Sequence, residues 1–464
     1  MTVAKIAPLS GFPEFLPEQR IVELEVLDVV RRIFELHGFA SVDVRSVEPL
    51  DQLLRKGEID KEVYVVSRLH ADDAAASERT GDTLGLHFDL TVPFARYVLQ
   101  HAGHLEFPFR RYQIQKAWRG ERPQEGRYRE FTQADIDIIG RDELAFHHDV
   151  DVALVMAEVF AALPIPPAVI RVNNRKLAEG FFRGVGATDP DAALRALDKI
   201  DKAGPDAVSE MLVTDAGIDA SAAALCLRLA QISGTGPTVA EQVRALGVSH
   251  PLLDEGLAEL VAVVDVAAKR RPGALVADLK IARGLDYYTG TVFETELEGF
   301  ESLGSICSGG RYDALASDGK VTYPGVGISL GVSRLLVPLL GSGYLSASRS
   351  VPSAVLVAVN DEEHRAASDQ VADALRARGV STEVAPAAAK FGKQIRHADR
   401  RGIPFVWFVA DDGGHSVKDI RSGEQVDADP RTWLPPQEDR RPTVRQGVVT
   451  HPVEDPVTEG GATK

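Results

Sequence analysis

The chain has 464 residues, 44% apolar and 26% charged, an ordinary globular composition and long enough for roughly two to four domains. No apolar run reaches the roughly 18 residues a membrane span needs, and the opening residues lack the h-region of a signal peptide. Cys226 and Cys307 are too few for a disulfide framework or a cysteine zinc site, so a reducing cytoplasm is the expected compartment. The net charge of −16 argues against broad, non-specific nucleic-acid binding but allows local basic surfaces. Arg119, Arg122, Arg127 and Arg129 form one such cluster, and Lys390, Lys393, Arg396, Arg400 and Arg401 form another.

From Pro17 to Leu36, apolar residues recur at helical spacing and Gly38 supplies a stop. Val42 to Val47 alternates as a short strand broken by Pro49. Residues 84–98 and 107–140 read as strand-like runs around a charged loop at 120–127. Residues 171–270 turn Ala- and Leu-rich with a helical period, and strand patterns return at Leu275–Ile281 and Thr291–Leu297. Gly325 to Gly331 then opens an apolar helix from Val332 to Leu340.

Beyond residue 350 the pattern alternates. Val355–Val359, Val380–Val384 and Phe405–Val409 read as strands. A helix opening at Asn360 and ending near Arg378, and another over Gly392–Arg401, lie between them. This predicts a βαβ-type α/β domain over 350–434. From Pro435 to 464 the chain is polar and aperiodic, which predicts a disordered tail. Residues 1–345 form the first domain in this reading, with a helical insertion over about 171–265.

Two stretches carry the chemistry. In Arg283-Gly-Leu-Asp-Tyr-Tyr-Thr-Gly290, a forked cation suited to an oxyanion stands beside tyrosines suited to a small ring. The second runs from Arg119-Gly-Glu-Arg-Pro through Arg-Tyr-Arg-Glu-Phe-Thr-Gln133 to Asp137 and predicts two antiparallel strands joined by a loop. At period two, Gln133, Asp135 and Asp137 share one strand face, a row of acceptors able to receive an ammonium group or an imidazole N–H.

Arg119-x-Glu-x-Pro followed by Arg-Tyr-Arg-Glu-Phe-x-Gln resembles motif 2 of a class II aminoacyl-tRNA synthetase, and more narrowly the histidyl-tRNA synthetase family. Arg283-Gly-Leu-Asp-Tyr-Tyr-Thr-Gly and Cys307-Ser-Gly-Gly-Arg-Tyr-Asp313 resemble that family's two histidine-specific signatures. Gly325-Val-Gly-Ile-Ser-Leu-Gly-Val-Ser-Arg334 resembles motif 3, the Pro17–Pro49 stretch motif 1, and Phe88-Asp-Leu-Thr-Val-Pro93 the amino-acid-binding turn. The resemblance spans about residues 10–430. It implies an α+β catalytic core with an antiparallel sheet flanked by helices, a helical insertion and an anticodon-binding-like α/β domain.

By the same resemblance the substrates are ATP, with Mg2+, L-histidine and tRNA(His), and the assembly is a homodimer formed through motif 1. Arg119 would hold the α-phosphate, Glu121 would help position the nucleotide and Arg334 would lie on the adenine. Asp89, Thr91, Gln133 and Tyr312 would take the α-amino group of histidine, and Asp137 and Tyr288 its imidazole. Arg283 would sit between the histidine carboxylate and the α-phosphate. Gln124 and Arg129 would meet the acceptor end of the tRNA. The rival reading is a non-catalytic, histidine-sensing regulatory subunit of an ATP phosphoribosyltransferase, which lacks the anticodon domain and degrades the motif arginines. Two departures stand out: His87 replaces the family's usual arginine, and Asp137 fills a place where some members carry glutamate.

His147 and His148, with Asp149 and Asp151, suggest metal ligands. Adjacent helical histidines are expected to point apart, so solvated polar residues are the favoured reading. Cys307 is expected to be a small buried residue.

Overall fold

In the computed structural model, residues 7–54, 62–67, 83–282, 288–313, 316–317, 319–410 and 412–447 are described. Contacts divide the chain into two units. One holds residues 28–338 with the start of the chain up to Pro13; the other holds Glu14–Leu27 with the chain from Leu339 onward.

The first unit is built on a nine-stranded, largely antiparallel sheet. Toward one edge Phe109–Trp118 and Glu130–Ile139 pair antiparallel across the expected loop. Glu130–Ile139 then pairs with Gly325–Gly331, which pairs with Cys307–Tyr312, which pairs with Thr291–Leu297. Side chains alternate between faces, so one face of the central strands packs Ala134, Ile136 and Ile138 against the core, each fully buried. The opposite face carries Gln133, Asp135 and Asp137, as the period-two reading requires. Six helices between Arg175 and Arg270 form the expected insertion.

The helix Pro17–Leu36 and the strand Thr291–Leu297 occupy their expected bounds, and the glycine-rich stretch Gly325–Gly331 is a strand leading into the expected helix. Two readings need correction. Of the expected Val42–Val47 strand, residues 42–46 are not strand: Ala40–Ser41 before them adds to the large sheet, and Val47–Pro49 joins a separate three-stranded sheet. Residues 84–98 are expected to be strand-like, but from Thr91 the chain forms a helix, Thr91–His101. Pro93 sits in its first turn, where a missing N–H costs nothing, and Val92, Phe94, Ala95 and Val98 are buried at helical spacing.

In the second unit Thr382–Val384, Val355–Val357 and Phe405–Val409 are parallel strands, as the βαβ pattern predicts. The pattern missed two antiparallel strands, His415–Asp419 and Gln425–Asp427, which extend the sheet to five. Both faces are covered: Val355, Val357 and Trp407 pack on Val371 and Leu375, while Leu356, Val406 and Phe408 pack with Ala398 and Ile403. This two-sided burial explains the continuous apolar runs. The helix expected from Asn360 begins at Arg365.

The predicted disorder from Pro435 onward also needs correction. Gln437–Asp439 forms a 3-10 turn and Val444–Gln446 pairs with Leu345–Ala347. Buried Arg349 donates to the Asp439 carbonyl at 2.9 Å, and Arg421 meets the Asp439 carboxylate at 2.7 and 2.8 Å. Ion pairing to distant residues orders a segment that has no local periodicity. Residues 448–464 lie outside the described residues.

Candidate active site

The strand register brings the site together. Gln133, Asp135 and Asp137 lie opposite Gln115, Gln113 and Arg111 on one side, and opposite Gly331, Ser329 and Gly327 on the other. Glycines make the surface concave. A Cβ at Gly327 would come within 2.1 Å of the Asp137 carboxylate, one at Gly325 within 2.5 Å of the Tyr312 ring, and one at Gly310 within 2.8 Å of the Tyr288 ring. The glycine-rich stretches therefore make room for the acceptors and aromatic rings above them.

Asp137 is buried, accepts from the Tyr312 hydroxyl at 2.7 Å and pairs with Arg111 at 2.7 Å. The Arg111 contact is ionic rather than a directed hydrogen bond, since its guanidinium nitrogens have no well-aligned acceptor among the described residues. That guanidinium lies 4.1 Å from the centroid of the Phe94 ring. Burial, together with the neighbouring Asp137, pushes the Tyr312 hydroxyl well above its usual range, so it stays a donor. Burial also pushes Asp135 up to about 7, against the pull of Arg111 and a hydrogen bond from Ser329, with Asp137 and Asp89 adding repulsion.

Asp89 is buried and accepts from the Val92 amide at 3.0 Å, so it also holds the first turn of the Thr91–His101 helix. Thr91 opens that helix. Half-buried Tyr288 packs beside the Phe94, Tyr312 and Tyr323 cluster. Arg283 lies outside the described residues.

Next to this pocket a cavity of about 240 Å³ is lined by Arg119, Glu121, Phe131, Gln133, Ser329 and Arg334 among others. Arg119 donates to the Phe88 carbonyl at 3.0 Å and its guanidinium lies 5.2 Å from the Phe131 ring centroid. Glu121 lies 3.8 Å from Arg119 and 3.3 Å from Arg127. Arg334 stands in the first turn of the Val332–Gly341 helix and donates to the Leu303 carbonyl at 3.1 Å. The neighbouring Ser333 hydroxyl accepts from the Thr132 amide at 2.9 Å, tying that helix start to the Glu130–Ile139 strand. A larger cavity, about 740 Å³, continues from Arg334 past Glu294 to the insertion residues Asp198 and Lys202.

At the loop tip Gln124 is exposed and pairs backbone groups with Arg127. Arg129 instead donates to the Glu121 and Ser10 carbonyls at 3.2 and 3.5 Å, fastening the loop to the start of the chain.

The sequence reading missed Arg111 and Ser329, although Arg111 follows the same period-two rule one strand over. His87 is buried with its Nε2–H donating to the Lys116 carbonyl at 2.7 Å, so it serves the backbone. The expectation that His147 and His148 point apart is overturned: their ring centroids are 4.0 Å apart, and with Asp151 their ligand atoms lie within 4.8 Å. They open their helix, where side-chain directions are less constrained. Arg270 and Arg110 lie 3.3 and 3.7 Å from Asp151, and this positive charge opposes a cation there. Cys307 is buried, with its thiol pushed up by desolvation, as a small core residue.

An antiparallel sheet carries a polar row, with one motif arginine on a strand–loop and another at a helix start, the arrangement that the resemblance to a class II aminoacyl-tRNA synthetase implies. The family model described as Histidyl-tRNA synthetase matches residues 11–335, and one described as Anticodon binding domain matches residues 353–430. The chain belongs to the histidyl-tRNA synthetase family. It is 62% identical to the histidine–tRNA ligase of Cutibacterium acnes, over 95% of this chain and 99% of that protein. It is 59% identical to the ligase of Micrococcus luteus, with the same coverage. The crystal structure of histidyl-tRNA synthetase from Nostoc sp. PCC 7120 superimposes with a TM-score of 0.82 at 34% identity, covering 92% of this chain and 97% of that one. A Bacillus halodurans structure titled as an ATP phosphoribosyltransferase regulatory subunit/histidyl-tRNA synthetase gives a TM-score of 0.70 at 19% identity, a likeness of fold alone. Among the described residues no helix is long and apolar enough to cross a membrane.

Proposed function

We propose that this chain is a cytoplasmic, homodimeric histidine–tRNA ligase. A carboxylate oxygen of L-histidine attacks the α-phosphorus of ATP and pyrophosphate leaves. The 3′-terminal ribose hydroxyl of tRNA(His) then attacks the histidyl carbonyl, releasing AMP. The observation that carries this reading is the buried row Gln133, Asp135 and Asp137 opening beside the cavity that Arg119 and Arg334 line. The regulatory-subunit alternative is less supported: both arginines stand, and an anticodon-binding domain follows.

Asp89, Thr91, the Gln133 carbonyl oxygen and the Tyr312 hydroxyl oxygen would receive the ammonium group, while the Tyr312 O–H donates to the carboxylate of Asp137. Asp137 and Tyr288 would read the imidazole, and a ring lacking its N–H groups would leave buried acceptors unmet. Arg119, with Glu121 beside it, would hold the α-phosphate as charge develops. Arg334 would lie on the adenine, and Arg283 would align carboxylate and phosphate. Catalysis is then positioning plus charge stabilisation. Mg2+ would neutralise phosphate charge when bound and needs hard oxygen donors, a chemistry that the carboxylates lining the larger cavity match. Exposed Gln124 would meet the tRNA acceptor end, with Arg129 holding the loop that presents it. The homodimer is what membership of the family implies, formed through motif 1.

The test is histidine-dependent exchange of pyrophosphate into ATP, followed by charging of tRNA(His). Purified protein that binds histidine without any exchange would overturn the enzymatic reading in favour of the regulatory one.

A further inference from the structure

The side chain of Gln133 is fixed on one side only. Its Nε2 donates to the Ser329 hydroxyl at 2.7 Å, while its Oε1 is buried with no partner among the described residues. Ser329 lies directly opposite Asp135 in the strand register, and its hydroxyl stabilises the ionised Asp135 carboxyl. Asp135 Oδ1 likewise has no partner among the described residues. A hydroxyl carries one proton. If Asp135 is ionised it can only accept, so the Ser329 proton must point to it, and the Ser329 oxygen is left to accept from the Gln133 amide. The amide then turns its carbonyl oxygen toward the pocket.

From this geometry we infer that Asp135 and Ser329 are positioning residues which set the polarity of the Gln133 amide, so that it meets the substrate ammonium with an acceptor. The inference rests on the proposed function for what enters the pocket. With Asp135 protonated, its O–H can donate to Ser329, the Ser329 proton is released toward Gln133, and the amide is free to turn over. It then presents N–H groups to an ammonium, which repels them. Histidine binding is thereby tied to a proton on Asp135, whose carboxyl is pushed up to about 7. The groups facing it are Arg111 on the neighbouring strand, Asp137 on its own, Asp89 before the Thr91–His101 helix and the Cys307 thiol from the far strand. Among these only Arg111 favours ionisation.

Ser329→Ala breaks the relay while leaving Asp135 in place, and Ser329→Thr keeps the hydroxyl. Michaelis constants for histidine and for ATP in pyrophosphate exchange, and direct calorimetric binding of histidine, are compared above and below pH 7. The ratio of Ser329→Ala to wild type cancels the ionisations of histidine itself. We expect Ser329→Ala to raise the histidine KM about tenfold near pH 8, the scale of one misdirected polar group. The ratio should fall toward one near pH 6, the ATP KM should stay within about twofold, and Ser329→Thr should restore most of the loss. A ratio that does not change with pH, or equal rises in the histidine and ATP constants, overturns the relay. Wild-type protein that binds histidine with this pH dependence but shows no exchange sinks the enzymatic reading and leaves the relay standing. Wild-type protein that binds no histidine sinks both.

Discussion

Replacing Arg311 by methionine tests how the second histidine signature is held. Arg311 donates through Nε to both carboxylate oxygens of Asp149 at 3.2 and 3.1 Å, and through Nη2 to one of them at 2.5 Å. It also donates to the Leu144 and Ala145 carbonyls at 3.1 and 3.3 Å. Asp149 is fully buried, and desolvation already raises its pKa despite Arg311. Removing one partner of such a pair costs about 3–5 kcal/mol, because the remaining charge is left buried and uncompensated. The sign with pH follows. Without the guanidinium, Asp149 has a folded pKa raised further above its unfolded value, so the variant loses stability as pH rises through that range. The deficit is greatest at alkaline pH and shrinks toward pH 5. The double variant Asp149→Leu with Arg311→Met removes both charges and should recover most of the loss. Hydrogen exchange of the Cys307–Tyr312 strand amides at both pH values reads the effect locally. A single-variant cost under about 1 kcal/mol, or a double variant no better than the single, would refute the reasoning. Because the Thr289 amide donates to the Arg311 carbonyl at 2.8 Å and Gly290 packs on the Arg311 side chain, histidine KM should rise as well.

Gly327→Ala should drive the Asp137 carboxylate off the sheet, given the 2.1 Å approach, and raise the histidine KM at least tenfold with little change for ATP; equal changes for both substrates would count against the placement of Asp137. Asp135→Asn should flatten the pH dependence of folding stability. The Asp135 carboxyl rises from 3.8 to about 7, so wild type loses up to roughly 4 kcal/mol as pH climbs across that interval, a loss the amide escapes. Thermal melts between pH 5 and pH 8 report it, and an unchanged slope would contradict the burial argument. Arg119→Ala should lower the exchange rate about 10²–10³-fold, the usual scale for one fixed donor at a developing charge. Truncation after Pro435 should lower the melting temperature of the second unit, because buried Arg349 loses its Asp439 acceptor; an unchanged melt would restore the view of this segment as a passive tail.

The central strands were legible in the sequence because alternation at period two is a local property. Gln133, Asp135 and Asp137 had to share a face once they were in a strand, and the Gly325–Gly331 strand had to lead into the Arg334 helix. The apolar runs of the second unit likewise announced strands buried on both faces. Local pattern failed where distant residues decide. The Thr91–His101 helix was hidden by its proline, although its buried positions keep helical spacing, and the His415–Asp419 strand has no strong alternation of its own and forms by pairing with Phe405–Val409. The segment around Asp439 is ordered by Arg349 and Arg421.

The site divides in the same way. Sequence determined which donors and acceptors exist and which share a strand face, since backbone geometry fixes both. Only the tertiary structure decided which of them meet: Arg111 with Asp137, Ser329 with Gln133, and the glycines that let Tyr312 and Asp137 lie against the sheet. The reason is physical. Strand register and burial couple residues more than a hundred positions apart, and the resulting desolvation, which moves Asp135 to about 7, is a property of the folded surroundings rather than of any stretch of chain.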